Sequence, residues 1–247
     1  MNLQKLHQQL NKSTSRIPFD RSQWPYEWFK IYLKQYSRFE STPLPDTLLE
    51  VNATLTETLK ARSSRRTTER APLTKEELGT LLYYSAGIND EIRAFSEASP
   101  PEEFNQTKRF YPSAGGRYPI EIYVGIQDHP ELDTALYHYN VMHHSLTKLF
   151  SAETYQEMLT HAHSAWTRES PTLFLTTAVC YRNVMKYGDR GYSMMLMEAG
   201  HVQQNMQLLA TALGKASCIA SNFDRDAIHE LYDWDDQEIL LNLIAVG

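Results

Sequence analysis

Cysteine is nearly absent: Cys180 and Cys218 are the only two in 247 residues. A chain of this length buries enough surface to need no disulfide framework. Both thiols read as free core residues, and the compartment reads as cytoplasmic. Basic residues are also short, with 24 lysines and arginines against 30 acidic residues and a net charge of −6. That balance gives no basic surface for a nucleic-acid backbone. No apolar run reaches the roughly 18 residues that span a bilayer. Met1-Asn2-Leu3-Gln4-Lys5 leads into no signal-peptide core. Nucleic acid and membrane are not expected partners.

Several catalytic signatures are missing as well. No Gly-x-Gly-x-x-Gly joins a strand to a helix and no Gly-x-x-x-x-Gly-Lys-Ser/Thr occurs, which removes the Rossmann and P-loop readings. There is no nucleophile elbow Gly-x-Ser-x-Gly. His138, His143 and His144 stand close together, as do His161 and His163. Neither group has His-Glu-x-x-His spacing, and no Cys-x-x-Cys accompanies them, so no metal is expected. His201 reads as a hydrogen-bonded interior histidine.

What the chain does have is the stretch Arg109-Phe110-Tyr111-Pro112-Ser113-Ala114-Gly115-Gly116-Arg117-Tyr118-Pro119. Prolines stiffen its ends, and Ala114-Gly115-Gly116 leaves the backbone bare between them. The strand-like run Ile120 to Ile126 follows at once. A bare loop anchored on a sheet lets a flat ligand approach main-chain groups, so it reads as a cofactor platform. Arg62-Ser63-Ser64-Arg65 offers two guanidiniums and two hydroxyls, the donor set a phosphate needs. Solvent-facing arginines are the competing reading of that cluster. Lys186-Tyr187 falls between an apolar strand and a long helix, where side chains converge on sites. A buried lysine can act as a base and a tyrosine can relay a proton. A solvated lysine beside a core tyrosine is the alternative.

Residues 1–50 read as an arm that packs on the body or on a partner subunit. Aromatics crowd its middle, Pro25 opens a short helix over Trp24 to Leu33, and Thr42-Pro43-Leu44-Pro45 breaks it. The body, 51–247, carries a helix within 48–60. A capping box at Thr74-x-x-Glu77 opens a helix that ends before Gly87. The polar segment 88–108 reads as a lid or mobile loop. A hairpin follows at 136–139 and 144–149, a helix at 152–159, and a central strand at 172–179. The long helix ends at Gly214. Its small residues Ala199, Gly200, Ala210 and Ala212 allow close approach by another helix, so it is expected to be buried or to form a subunit interface. A strand at 216–220, a helix at 224–231 and a strand at 239–246 complete an α+β architecture with about four strands.

These residues carry a likeness. From about residue 55 onward the chain resembles the flavin-dependent nitroreductase superfamily, and within it the SagB-type or McbC-like dehydrogenases that oxidise azolines to azoles. The arm at 20–45 resembles that subgroup too. Arg62-Ser63-x-Arg65 is similar to the superfamily's phosphate signature, and Pro112 to Pro119 to the subgroup's flavin loop. Glu198-Ala199-Gly200-His201-x-x-Gln204-Asn205 with Ala212-Leu213-Gly214 is similar to its central helix, and Ala245-Val246-Gly247 to its ending.

The resemblance implies FMN at the interface of a homodimer, in a mostly antiparallel sheet flanked by helices. Arg62, Ser63 and Arg65 would hold the phosphate. Pro112, Ser113, Ala114 and Gly115 would lie against the ring, Ala216-Ser217-Cys218 would approach it from the other side, and Asn205 would join the cofactor site. Lys186-Tyr187 matches the pair that azoline oxidases use for proton abstraction. Two departures stand out. Ala61 occupies a position where the signature often has a second arginine. A large N-terminal peptide-recognition domain is also lacking, so a cyclodehydratase or carrier partner is expected to deliver the substrate.

Three readings compete on this resemblance: an NAD(P)H-dependent nitro or quinone reductase, an oxidase forming a Cα–Cβ double bond in another amino-acyl substrate, and a non-enzymatic scaffold. Thiazoline and oxazoline, ribosomal and carrier-bound substrates, and the electron acceptor all stay open.

Overall fold

The computed structural model describes residues 3–12, 21–28, 33–90, 108–235 and 237–247. A first helix, α1 (Leu3–Lys12), precedes two 3-10 turns at Arg21–Gln23 and Tyr26–Trp28. Of the helix expected over Trp24 to Leu33, the described part holds that second turn. Residues 29–32 lie outside the described residues, and the chain is irregular from Leu33 to the short strand β1 (Ser41–Pro43).

Helix α2 (Leu55–Ala61) starts at a capping box between Thr54 and Glu57, and α3 (Lys75–Ala86) at the expected one between Thr74 and Glu77. Gly87 ends α3, as the sequence indicates. Strands β2 (Ile88–Asp90) and β3 (Lys108–Arg109) pair with each other across the segment read as a lid. Residues 91–107 of that segment lie outside the described residues.

Then come β4 (Ile120–Ile126), β5 (Ala135–Asn140), β6 (Ser145–Phe150), α4 (Ala152–Thr160), α5 (Ala165–Arg168) and β7 (Thr172–Val179). They are followed by α6 (Tyr181–Tyr187), α7 (Arg190–Ala212), β8 (Ser217–Ala220), α8 (Arg225–Tyr232) and β9 (Glu238–Val246). Seven strands form one antiparallel sheet in the order β1-β6-β5-β4-β7-β9-β8. The sequence count of about four strands is too low, although the six sheet segments it marks one by one are all strands. The one it misses is β1, whose proline reads as a breaker but is tolerated on an outer strand.

Strand β4 is buried along its whole length. Alternation sends Ile120, Ile122, Val124 and Ile126 to one face, where α3 and α7 supply Leu78, Leu81, Leu82, Met195, Val202 and Met206. Tyr123 points to the opposite face, among Tyr155, Met158, Leu173, Ile228 and Trp234. The sheet is thus covered on both sides, and β7 lies hydrogen-bonded between β4 and β9. Cys218 is buried, whereas Cys180 is only half-buried, so one of the two expected core thiols lies nearer the surface.

Candidate active site

The first half of the site begins where α2 stops. Arg62 caps the helix, its backbone leaves helical space, and the chain runs on toward β8. Ser64 bridges Ser217 in parallel, and the Arg65 amide donates to the Ser217 carbonyl at 3.0 Å. Ala216 and Gly247 exchange backbone bonds of 2.8 and 3.1 Å, which fixes β8 from its other side. Arg70, which the sequence did not single out, donates to the carbonyls of Arg65 and Trp166 at 2.8 and 2.7 Å. Arg62, Ser63, Arg65, Ala216 and Ser217 therefore share one locality. Ser63 and Arg65 are exposed, while the Ser217 hydroxyl is buried with no hydrogen-bond partner among the described residues. Two arginines and a buried hydroxyl thus come from neighbouring backbone, and hydroxyl and guanidinium are the donor types an anion accepts from.

The second half is the bare loop. Ala114–Gly116 forms a 3-10 turn in which Gly115 (φ 62°, ψ 20°) occupies the left-handed region; Gly116 follows at φ 63°. Pro112 and Gly115 are exposed, Ser113 and Ala114 half-buried. Tyr118 also takes a positive φ of 46°, costly for a bulky residue. Three contacts hold it there. Its amide donates to Ser113 Oγ at 2.8 Å, its hydroxyl accepts the Arg109 amide at 3.2 Å, and its carbonyl accepts Arg182 Nη1 at 2.8 Å.

This loop meets Lys186 and Tyr187. A Cβ built on Gly115 would stand 2.3 Å from the Tyr187 hydroxyl and 3.1 Å from Lys186 Nζ. Only a glycine leaves room for that approach. The pair ends α6, which Gly188 terminates at φ 55°. Lys186 is buried, with Nζ 3.6 Å from the centroid of the Trp24 ring and 5.7 Å from that of Trp28. Burial raises the Tyr187 hydroxyl above the usual phenol range, partly offset by nearby Arg117.

Two arginines lock loop to helix. Arg117, fully buried, donates Nε to the Arg182 carbonyl at 2.8 Å and Nη1 to the Trp28 carbonyl at 2.7 Å. Arg182 reaches back to the Tyr118 carbonyl and pairs with Glu121 at 2.6 Å. Glu121 also contacts His138 at 2.8 Å. Although burial opposes ionisation, Arg182 and His138 hold the Glu121 carboxyl down at about 2. Trp28 in turn donates its indole N–H to the Met185 carbonyl at 3.1 Å, so the arm lies over α6.

Glu198, on α7, accepts the Ser113 hydroxyl at 2.9 Å. Burial pushes its carboxyl up to about 8, against the pull of Ser113. Helix α7 packs on α2, α6 and β8, and so runs past both halves of the site. Asn205, lower on α7, donates to the carbonyls of Phe110 and Ser85 at 3.2 and 3.4 Å. It lines a cavity of about 490 Å³ with Leu49, Tyr84, Phe110 and Leu208, so in this structure it braces the approach to the loop. His201 is exposed, against the interior reading: it lies four residues after exposed Met197, on the same outward stripe. Tyr192, Leu196 and Met197 on α7, with Leu55 and Leu59 on α2, present large apolar side chains to solvent.

Among the described residues, no three His, Cys, Asp or Glu side chains gather as metal ligands, and no helix is long and apolar enough to cross a membrane.

Known proteins share this sequence and fold. MJ1384 of Methanocaldococcus jannaschii, named provisionally as a nitroreductase, is 31% identical over 188 residues, covering 76% of this chain and 88% of that protein. The trifolitoxin-processing protein TfxB of Rhizobium leguminosarum bv. trifolii is 31% identical over 156 residues, 59% of this chain and 40% of TfxB. The chain thus spans less than half of that relative. The E. coli microcin synthetase McbBCD complex with truncated pro-MccB17 bound shares the fold at a TM-score of 0.59 and 18% identity, over 99% of this chain and 91% of that one. The signature of the Nitroreductase family runs through residues 59–247, from the last turn of α2 to Gly247, just past β9, and the chain belongs to that family.

Proposed function

We propose that the protein is an FMN-dependent dehydrogenase that converts a peptide- or carrier-bound thiazoline or oxazoline into the thiazole or oxazole. The observation that carries this reading is the convergence of Lys186, Tyr187 and Gly115, which sets a base and a phenol against a bare backbone loop. Relationship to TfxB, a toxin-processing protein, and fold likeness to the microcin synthetase complex support a peptide-modifying role.

The residues present fit FMN. Arg62, Ser63 and Arg65 would hold its phosphate, and the unpartnered Ser217 hydroxyl would serve that end. Pro112, Ser113, Ala114 and Gly115 would receive the ring. When bound, FMN would supply the two-electron acceptor for the hydride that leaves the substrate carbon. Lys186 takes the proton from the ring carbon next to the carbonyl, and Tyr187, at the edge of the same loop, assists that transfer. Proton and hydride together account for the two hydrogens lost on aromatisation. Trp24 and Trp28 keep water from Lys186 on the arm side. The exposed apolar stripe on α7 and α2 fits a homodimer, and a cyclodehydratase or carrier protein would bring the substrate.

The test is direct. Lys186→Ala should retain the bound-flavin spectrum yet lose more than about tenfold in azoline oxidation. The wild type should remove two hydrogens per ring by mass. A Lys186→Ala protein that oxidises azoline at full rate defeats the assignment. The name of MJ1384 favours a second reading, an NAD(P)H-dependent reductase. Rapid bleaching of the flavin by NADPH would select it.

A further inference from the structure

Beneath the bare loop lies an acid that the proposed reaction does not use. Glu198 is 2% exposed. One of its oxygens accepts the Ser113 hydroxyl at 2.9 Å, and that hydroxyl accepts the Tyr118 amide at 2.8 Å. The relay ties the two ends of the 113–118 turn to α7. The second oxygen, Oε1, is buried without a hydrogen-bond partner among the described residues. A fully ionised carboxylate in that position would be poorly satisfied, whereas a protonated acid needs fewer donors.

We propose that Glu198 is the positioning residue of the platform: through the Ser113 hydroxyl it fixes the backbone shape at 113–116 on which the flavin ring depends. The inference rests on the flavin reading above and deepens it.

The groups around Glu198 are few. Arg109 of β3 and Arg182 of α6 favour its charged form. Arg182 is engaged by Glu121 and the Tyr118 carbonyl, and Arg109 lies over the Tyr118 ring with Nη1 3.4 Å from the Tyr111 hydroxyl. Tyr111, from the loop, and Tyr187, from α6, are neutral phenols near it; burial above all raises both, and a charge on Glu198 raises them further. Burial outweighs the arginines, so the acid keeps its proton up to about pH 8. Above that point a carboxylate forms under the loop. It tightens the bond to Ser113 but places negative charge beneath the loop that would receive an anionic ligand. That charge weakens FMN binding.

FMN titration of the full chain, followed by flavin fluorescence at a series of pH values, tests this. Circular dichroism at each pH confirms the fold. Wild-type affinity should fall by about fivefold or more from near pH 7 to near pH 9. Glu198→Gln keeps the shape and the acceptor but cannot ionise, and its affinity should stay within about twofold over that range. Ser113→Ala removes a donor that favours the charged form, so its midpoint should move to higher pH. Titrations of FMN itself are common to all three proteins and cancel. A Ser113→Ala protein that binds FMN as tightly as the wild type at about pH 7 would overturn the positioning role of Glu198, superimposable wild-type and Glu198→Gln profiles would overturn its pH dependence, and either result leaves the flavin reading intact. If Glu198→Gln does not fold, an unmoved Ser113→Ala midpoint overturns that pH dependence instead. Failure of the wild type to bind FMN at any pH would bring down the flavin reading, and this inference with it.

Discussion

Nζ of Lys186 lies 3.6 Å from the centroid of the Trp24 indole, so a residue of the arm covers the proposed base. An indole face attracts the charged form of a lysine by about 0.5–2 kcal/mol, depending on how dry the contact is. A base must be neutral to act. Trp24→Leu keeps an apolar cover but removes the π face, so the acid limb of the pH–rate profile should move down by about half a unit or more. An unmoved limb would show that the contact is not kept in the working enzyme.

Gly115 and Gly116 share a positive φ but not a neighbourhood. A methyl at 115 would collide with the Tyr187 hydroxyl, whereas one at 116 would meet nothing within 4 Å. Gly116→Ala should therefore cost only the backbone penalty of about 1–2 kcal/mol. Gly115→Ala should cost that and also displace Tyr187, with loss of bound flavin. Removing the hydroxyl in a Gly115→Ala, Tyr187→Phe double variant should restore part of the stability. Thermal unfolding and the flavin spectrum report both effects, and equal penalties at the two glycines would contradict this account.

Two buried carboxyls give opposite pH signatures. Glu198 titrates at about 8 when folded, above its ordinary value of 4.5, so the native state holds the extra proton between those limits. Its contribution to stability is greatest at low pH and declines by up to about 1.4 kcal/mol per pH unit through that window. Glu121 is held at about 2. Its contribution is present above its ordinary value and is lost as pH falls toward 2. Denaturant unfolding at several pH values should show Glu198→Gln gaining on the wild type from about pH 5 to pH 8. Glu121→Gln should lose by about 3–5 kcal/mol near neutrality, because it strands Arg182.

Met197 is 59% exposed and Leu196 45%, in the middle of a helix whose other face is core. On the homodimer reading, a second copy covers them. Met197→Glu should yield monomers by sedimentation while the fold persists, and FMN affinity should fall with the dimer. A wild-type protein that sediments as a monomer would remove that part of the proposal.

The phosphate end gives a fifth handle. Arg65→Ala should weaken FMN by about ten- to a hundredfold, the cost of a charge-assisted bond, with less salt sensitivity than the wild type. Riboflavin, which lacks the phosphate, should bind wild type and variant alike. A variant that binds FMN as tightly as the wild type would place the phosphate elsewhere.

Much of the scaffold can be read from local chemistry. Thr74 and Glu77 announce α3 because a capping box needs only neighbours in sequence. The apolar run at 172–179 declares a strand covered on both faces. The loop at 112–116 and the Lys186-Tyr187 pair are legible as two separate signals. Their meeting is not, since it depends on α6 folding back against the turn. Nothing in the sequence sets Arg182, or Arg117 within its loop, apart as a clasp; only the fold supplies the buried carbonyls that they bind. Glu198 is equally opaque, for nothing in its sequence neighbours reveals that its oxygen meets Ser113. His201 misleads because an interior helix still turns one stripe outward, and its four-residue spacing from Met197 puts it there.

The reciprocal grip of Arg117 and Arg182 bears on how this scaffold could change its substrate. Each guanidinium holds a carbonyl on the other's segment, so turn and helix shift together or hardly at all. Spacing between the proposed base and the proposed platform is then a property of the chain itself, the same for any substrate. Adaptation to a differently shaped substrate would fall to side chains outside that clasp, with the two arm tryptophans the nearest candidates for exchange.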